Sequence, residues 1–380
     1  MNSPGFGTWQ LITEESGFRD LAKDWDRLFA ANPKHRPFQA WGWVTAWLEH
    51  LAGSYRLHVI CLRGDDGQLQ FVLPLIRSTG NGRYRTPRLM TLCGYGPECS
   101  DHVGTLRLPS LDSQASRLAA AGIARLCSDA DRIELGNLDG LDDFSQNLCS
   151  QLRQNNRTVR VTQFAACPAV DLPGSWETYL QKLSSNFRSQ VRRHSKRIAS
   201  HDTLGFRSVD ASEAIAFTRE LIQLNRSRMG DKGKVSSLED PGFRDFLLDA
   251  VPDMARAGLA WMDVVEENQE VVGAALNLVH GDSVYYYMGG FHERSKNLRP
   301  GTALFARVIK HSTENGYTRY DFLRGAENYK YRWGATDVFT YQVTVYPRGM
   351  IRGQLACKLD GLRNWARDLI RQVRGSISAG

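Results

Sequence analysis

Three consecutive β-prone runs, residues 259–266, 270–280 and 283–291, constrain the fold of this chain more than any other feature. They are rich in Val, Tyr and Ala with few breakers, and the first pair closes through Glu267-Asn268-Gln269, which predicts a hairpin extended by a third strand. The period then changes. Residues 301–314 read as a helix ended by Asn315-Gly316, and 318–323 as a short buried strand. The same order occurs earlier: strands 57–63 and 68–77 flank Gly64-Asp65-Asp66-Gly67, then come a strand at 88–93, a Gly/Pro-rich loop at 94–104, a helix at 113–128 and a strand at 132–136. Each half therefore runs hairpin, strand, glycine-containing loop, helix, strand. That order predicts an α+β protein built twice over, with a mixed, mostly antiparallel twisted sheet flanked by helices in each half.

The remaining segments fill in this plan. Helices are expected at 20–29, 41–51 and 142–154, and a strand at 158–164. The stretch CPAVDLPGS at 167–175 carries two prolines and a glycine, and the boundary is placed there. The division is 1–168, 169–350 and a C-terminal amphipathic helix, 351–380, packed on the second domain. One long basic helix is expected at 176–200, followed by a strand at 204–209 and helices at 212–229 and 242–257. Trp41, Trp43 and Trp47 share helical spacing and are expected in the core.

Composition narrows the function. The 380 residues are 42 % hydrophobic and 23 % charged, with 48 basic against 41 acidic side chains, a net charge of +7. That is a soluble globular composition with a mild preference for anionic partners. No apolar run approaches the ~18–20 residues a membrane helix needs, and the N-terminus lacks the basic and apolar regions of a signal peptide, so a cytoplasmic protein is expected. The seven cysteines are scattered with no CxxC spacing and read as reduced core thiols; no metal site is expected.

Five motifs carry a resemblance: SSNFRSQVRRHSKR from Ser184, VVGAALNLVHGDSVYYYMGGFHERSKNLRPGTAL from Val271, YDFLRGAENYKYRWG from Tyr320, PFQAWGWVTAW from Pro37 and GPECSDHVG from Gly96. Together they resemble the GNAT superfamily, in particular the CelD-like acyltransferases associated with cellulose biosynthesis, whose architecture is similar to the tandem GNAT domains of FemAB-type aminoacyl transferases. The resemblance implies two tandem GNAT-like domains and an acyltransferase moving an acyl group from acetyl-CoA or another acyl-CoA to an amine or hydroxyl. The acceptor would be a small molecule or a cell-envelope or polysaccharide precursor. It also implies two alternatives: a FemAB-type aminoacyl-tRNA-dependent transferase, the one reading that brings in a nucleic acid, and a non-catalytic scaffold of a polysaccharide-synthesis complex with peripheral membrane association. One departure stands out. Where GNAT enzymes carry an R/Q-x-x-G-x-G/A pyrophosphate loop, this chain has Asn297-Leu298-Arg299-Pro300-Gly301-Thr302, with a single glycine.

The residues themselves point to a donor site. A strand ending in Met288-Gly289-Gly290 lets a ligand approach its backbone closely. The helix after it opens at Pro300-Gly301-Thr302, leaving free N–H groups at the positive end of its dipole, with Arg299 alongside. An ordinary strand-loop-helix turn would show the same residues. The 176–200 helix carries Arg188 and Arg192 on one face, expected to meet an anionic substrate, although a solvated face would look alike. Just after the strand near 320, Asp321 and Glu327 are candidate bases, Tyr329 a candidate acid for a leaving thiolate, and Arg324 and Lys330 candidate anion holders. Asp101 and His102, on the 94–104 loop, are further candidate bases; an aspartate capping a turn and a surface histidine would also fit there.

Overall fold

The computed structural model describes residues 8–79, 88–96, 99–127, 130–139, 143–201, 203–231 and 236–347. The C-terminal amphipathic helix expected at 351–380 lies outside the described residues. Thirteen strands join into one sheet: β1 (Thr8–Ile12), β2 (Tyr55–Arg63), β3 (Leu69–Ser78), β4 (Leu89–Leu92), β5 (Leu106–Arg107), β6 (Arg132–Asp139), β7 (Thr158–Asp171), β8 (Leu204–Val209), β9 (Ala260–Glu267), β10 (Glu270–His280), β11 (Ser283–Phe291), β12 (Arg319–Asp321) and β13 (Thr336–Tyr346). Eleven helices flank it: α1 (Glu15–Arg19), α2 (Ala22–Ala30), α3 (Trp41–His50), α4 (Ala115–Leu126), α5 (Asp143–Gln154), α6 (Trp176–Lys182), α7 (Ser185–Ala199), α8 (Ala214–Asp231), α9 (Pro241–Arg256), α10 (Pro300–Glu314) and α11 (Asn328–Arg332).

The strand order is β1-β2-β3-β4-β6-β13-β7-β12-β11-β10-β9-β8, with β5 beside β3. Read inward from either edge it gives the same pattern: antiparallel neighbours, then one parallel pair, β4 with β6 and β11 with β12. The expected duplication is therefore present as topology. Its centre differs from a plain tandem repeat. The strand that follows the first half, β7, lies against β12 of the second, and the strand that ends the second half, β13, lies against β6 of the first. The two last strands pair with each other over most of their length. The division drawn at 168/169 falls inside β7, whose ladder continues through Pro168 to Asp171.

Two local expectations are corrected. The single basic helix is two, α6 and α7, because Ser184 stops the first and caps the second, its Oγ accepting from the Phe187 N–H at 3.4 Å. The strand β13, which sequence reading left out, follows a turn at Gly334, which sits at φ 81°. The core is continuous across the halves. Trp25, Trp43, Phe246, Leu276 and Tyr285 belong to one buried cluster, and Trp43 meets Phe246 edge-to-face at 4.9 Å between centroids. The six described cysteines are buried thiols. Among the described residues no helix is long and apolar enough to cross a membrane.

Candidate functional site

The site begins where β11 and β12 part. They pair only from Ser283–Arg319 to Tyr285–Asp321; β11 then runs on to Phe291 while β12 ends. Within that free stretch β11 carries a bulge against β10: Leu276 faces Met288 and Asn277 faces Tyr286, so Tyr287 is the extra residue. Beside the free stretch α10 starts. Arg299, its N-cap, sits in the left-handed region at φ 54° and offers no side-chain cap; Pro300 has no N–H, and Thr302 and Ala303 donate to the Arg299 carbonyl at 3.0 and 3.3 Å, which leaves the Gly301 N–H open at the start of α10.

A cavity of about 390 Å³ fills this gap. Gly289, Gly290, Arg299, Gly301, Thr302 and Tyr329, all sequence candidates, line it. At Gly301 an added Cβ would make only ordinary contact, 3.6 Å from Phe291. At Gly290 it would collide with the backbone of α8 at 2.6 Å, so that glycine is required by packing. Phe187 of α7, Phe305 of α10 and Trp333 form an apolar wall, with Phe187 edge-to-face on Trp333 at 5.0 Å. Three guanidiniums, Arg228, Arg299 and Arg332, line the cavity, and no carboxylate does. Arg228 lies 4.6 Å over the Phe291 ring, and its buried Nε has no hydrogen-bond partner. Arg228 sits in no motif, and Arg332 falls inside YDFLRGAENYKYRWG with nothing local to single it out; only the fold brings them beside α10. Burial pushes the Tyr329 phenol well above its usual range, so it remains a proton donor at neutral pH.

Two donor-site candidates are corrected. Met288 packs against the larger core, on the other face of the strand, and Pro300 is buried against Gly273. The anion-holding candidates divide similarly. Arg192 is exposed and paired with Glu177 at 2.6 Å, and Arg188 is half-buried but does not line the cavity. Lys330 is 3 % exposed at its side chain and donates to the carbonyls of Leu323, Arg324 and Gly325 at 2.8–3.0 Å, a bolt that shapes this loop and is not available to a ligand. Glu327 is exposed and paired with Lys330.

The candidate bases converge, but elsewhere. Residues opposite each other across β11 and β12 share a face, so Tyr286 and Tyr320 face the cavity while Tyr285 and Asp321 face away. On that far face His102 is bound through Nδ1 to Asp139, and its Nε2 lies 3.6 Å from Asp321. Arg36 donates to Asp139 and to the Tyr285 hydroxyl at 2.8 Å, and Arg319 pairs with Asp321 at 3.1 Å. Asp101 accepts from the Arg324 Nε at 2.8 Å and from its backbone N–H at 2.9 Å. Burial alone would push His102 down, but Asp139 outweighs it and raises the imidazole well above its usual 6.5. Asp139 moves the opposite way: burial would raise it, yet His102 and Arg36 hold it far below the carboxylate range. A charged imidazolium locked between carboxylates is a poor base. This network joins the halves, with Arg36, Asp101 and His102 from the first and Tyr285, Arg319, Asp321 and Arg324 from the second.

A second cavity, about 480 Å³, opens at the same seam, near Lys34, Arg36, Arg107, Asp139, Asp282 and Arg319. Among the described residues no cluster of His, Cys, Asp or Glu could hold a metal ion.

Solved structures show the same fold. FemX superposes with a TM-score of 0.62 at 13 % identity, covering 88 % of this chain and 96 % of its own. A conserved protein of unknown function from Bacteroides thetaiotaomicron gives 0.56 at 10 % identity (89 % and 100 % covered), and L-PGS from Bacillus licheniformis gives 0.50 at 13 % (81 % and 91 % covered). No curated protein sequence matches the chain. The first cavity's lining from Phe187 to Tyr329 lies within residues 185–331, with Arg332 and Trp333 just beyond, and residues 185–331 match the family model for the acetyltransferase (GNAT) domain.

Proposed function

We propose that this protein is an acyl-CoA-dependent acyltransferase whose donor lies in the cavity between α7, α10 and the free end of β11, and whose acceptor is an amine or hydroxyl of a small molecule or envelope precursor. One observation carries this reading: the cavity sets three arginines and an open helix N-terminus around an apolar slot, without a single carboxylate. That lining suits a ligand with a phosphorylated end and a neutral arm. The arginines and the Gly301 N–H would hold the pyrophosphate, and the arm would run along the free edge of β11. Main-chain N–H groups of the Met288–Gly290 strand would stabilise the oxyanion formed when the acceptor attacks the thioester directly. Tyr329, protonated and in the cavity wall, would give its hydroxyl proton to the departing thiolate and take up the proton that the acceptor's amine or hydroxyl loses. His102 and Asp321 face away from the cavity and have no part in this chemistry; they position the strands.

Isothermal titration with CoA and acetyl-CoA tests the reading. Saturable binding that disappears in an Arg228→Gln/Arg299→Gln variant supports it, and no binding at millimolar ligand rejects it. A second reading, transfer from an aminoacyl-tRNA, is favoured by the acid-free helix α7 beside the cavity mouth and by the likeness to FemX. It requires retention of charged tRNA in a gel shift with steep salt dependence.

A further inference from the structure

The seam cavity is assembled from both halves: Lys34, Arg36 and Arg107 come from the first, Arg319 and Asp282 from the second. A count of donors and acceptors shows what it lacks. Both oxygens of Asp139 are engaged, by His102 and by Arg36. Both oxygens of Asp282 are engaged as well, accepting from the Ser283 hydroxyl at 2.9 Å and the Thr318 hydroxyl at 2.7 Å. The cations are not used up. Arg36 employs Nε and Nη1 and leaves Nη2; Arg319 employs only Nη2; Arg107 gives Nε to Asp112 and Nη1 to Thr105 and leaves its other Nη2. Lys34 gives one bond to Asp112 at 2.6 Å and keeps two N–H groups.

The cations are also held in place. Neutral His35, its pKa pushed down to about 4 chiefly by burial, accepts the backbone N–H of Arg107 at 3.1 Å and fixes its own ring on the Phe29 carbonyl at 3.0 Å. Arg36 is pinned by its two bonds, and Arg107 lies 4.9 Å over the Phe144 ring. A pocket with its carboxylate oxygens engaged and N–H groups left on three guanidiniums and an exposed ammonium is short of an acceptor with several oxygens. A tetrahedral oxyanion meets that need better than a planar carboxylate, because it offers acceptors in more than one plane.

We propose that the seam cavity binds the phosphate group of a small molecule, separately from the donor cavity. The two sites are separate: Ser283 borders one and Tyr286 the other, roughly 10 Å apart along β11 at ~3.3 Å per residue. Buried Tyr285, His102 and Phe38 close the space between them. The proposal does not depend on the donor being acyl-CoA.

Inorganic pyrophosphate is the probe, titrated calorimetrically into four proteins with intact melting curves. Gly301→Glu blocks the donor cavity, so binding that survives in that variant reports the seam. The expected result is binding retained in Gly301→Glu, weakened tenfold or more when Arg107→Gln and Arg319→Gln are added, and weakened likewise by Lys34→Gln, an exposed change that leaves the fold alone. Arg192→Gln, on the outer face of α7, should leave it unchanged. Loss of all binding in Gly301→Glu alone would overturn the proposal, since pyrophosphate would then enter only the donor cavity. So would binding in Gly301→Glu that ignores Arg107, Arg319 and Lys34, or no binding to any of the four. Failure of CoA to bind in the separate titration would reject the donor reading and leave this one standing.

Discussion

The two halves repeat one topology yet treat its central gap in opposite ways. In each, the parallel pair is short: β4 meets β6 through Thr91–Glu134, and β11 meets β12 through Tyr285–Asp321. In the second half the longer strand, β11, is left with a free edge and the gap stays open as the first cavity. In the first half the longer strand is β6, and residues 93–96 and 99–105 fold back against it. Tyr95 covers Gly136 so closely that a Cβ there would sit 1.9 Å from its ring. The Asn137 amide donates to the Ser100 carbonyl, the Val103 N–H donates to the Asn137 carbonyl at 3.1 Å, and the Trp43 indole donates to the Ser100 hydroxyl at 2.9 Å. The repeat thus leaves one gap open and fills the other with its own chain. Function in a duplicated fold depends on which loop occupies the gap, since the strand order is the same on both sides.

The largest effect should come from the seam that holds the halves together. Asp139→Asn leaves the His102 imidazolium and Arg36 without their shared counter-charge and should lower stability by about 3 kcal/mol in urea unfolding. A loss under ~1 kcal/mol would mean the halves do not rest on this network. Next is Gly301→Glu, which puts bulk and negative charge against the open end of α10. CoA affinity should fall tenfold or more, ~1.5–3 kcal/mol, with an unchanged melting temperature, because glutamate suits a helix's first turn. Unchanged affinity in a folded variant would move the donor site elsewhere.

A paired substitution tests the filled-versus-open contrast directly. Gly136→Ala must displace Tyr95 and should cost about 2 kcal/mol, whereas Gly301→Ala should cost nothing measurable in stability. Equal costs would erase the difference between the gaps. The pH dependence should be smaller. His102 has a raised pKa in the folded state, so its stabilisation is complete below the usual 6.5 and fades as pH climbs through the higher folded value. The melting temperature of His102→Gln should therefore trail wild type most below about pH 6.5, by roughly 1 kcal/mol equivalent, and close on it in alkaline buffer. A gap that widens with pH would show the imidazole is neutral. Last, Arg192→Gln should shift stability by no more than ~0.5 kcal/mol, as expected of an exposed pair; a strong effect on donor binding would return α7's outer face to the site.

The sequence by itself determined what depends on near neighbours. The 259–291 meander, the open helix start at Pro300-Gly301-Thr302 and the small residues Gly289 and Gly290 follow from turn chemistry and periodicity within a few positions, and the donor cavity is built from them. Ser184 was also a local signal, a cap that splits α6 from α7, passed over because basic residues run on across it. The tertiary structure decided the rest. Whether Asp321 faces the cavity or the seam depends on the register of β12 against β11, and a shift of one residue would reverse it. That Asp139 meets His102, or that Arg228 and Arg332 reach the donor cavity, depends on contacts between segments distant in the chain. The exchange of β7 and β13 is of the same kind: every strand carries the same unsatisfied N–H and C=O groups, so its own residues make it a strand, while its partner is settled only when the whole sheet closes.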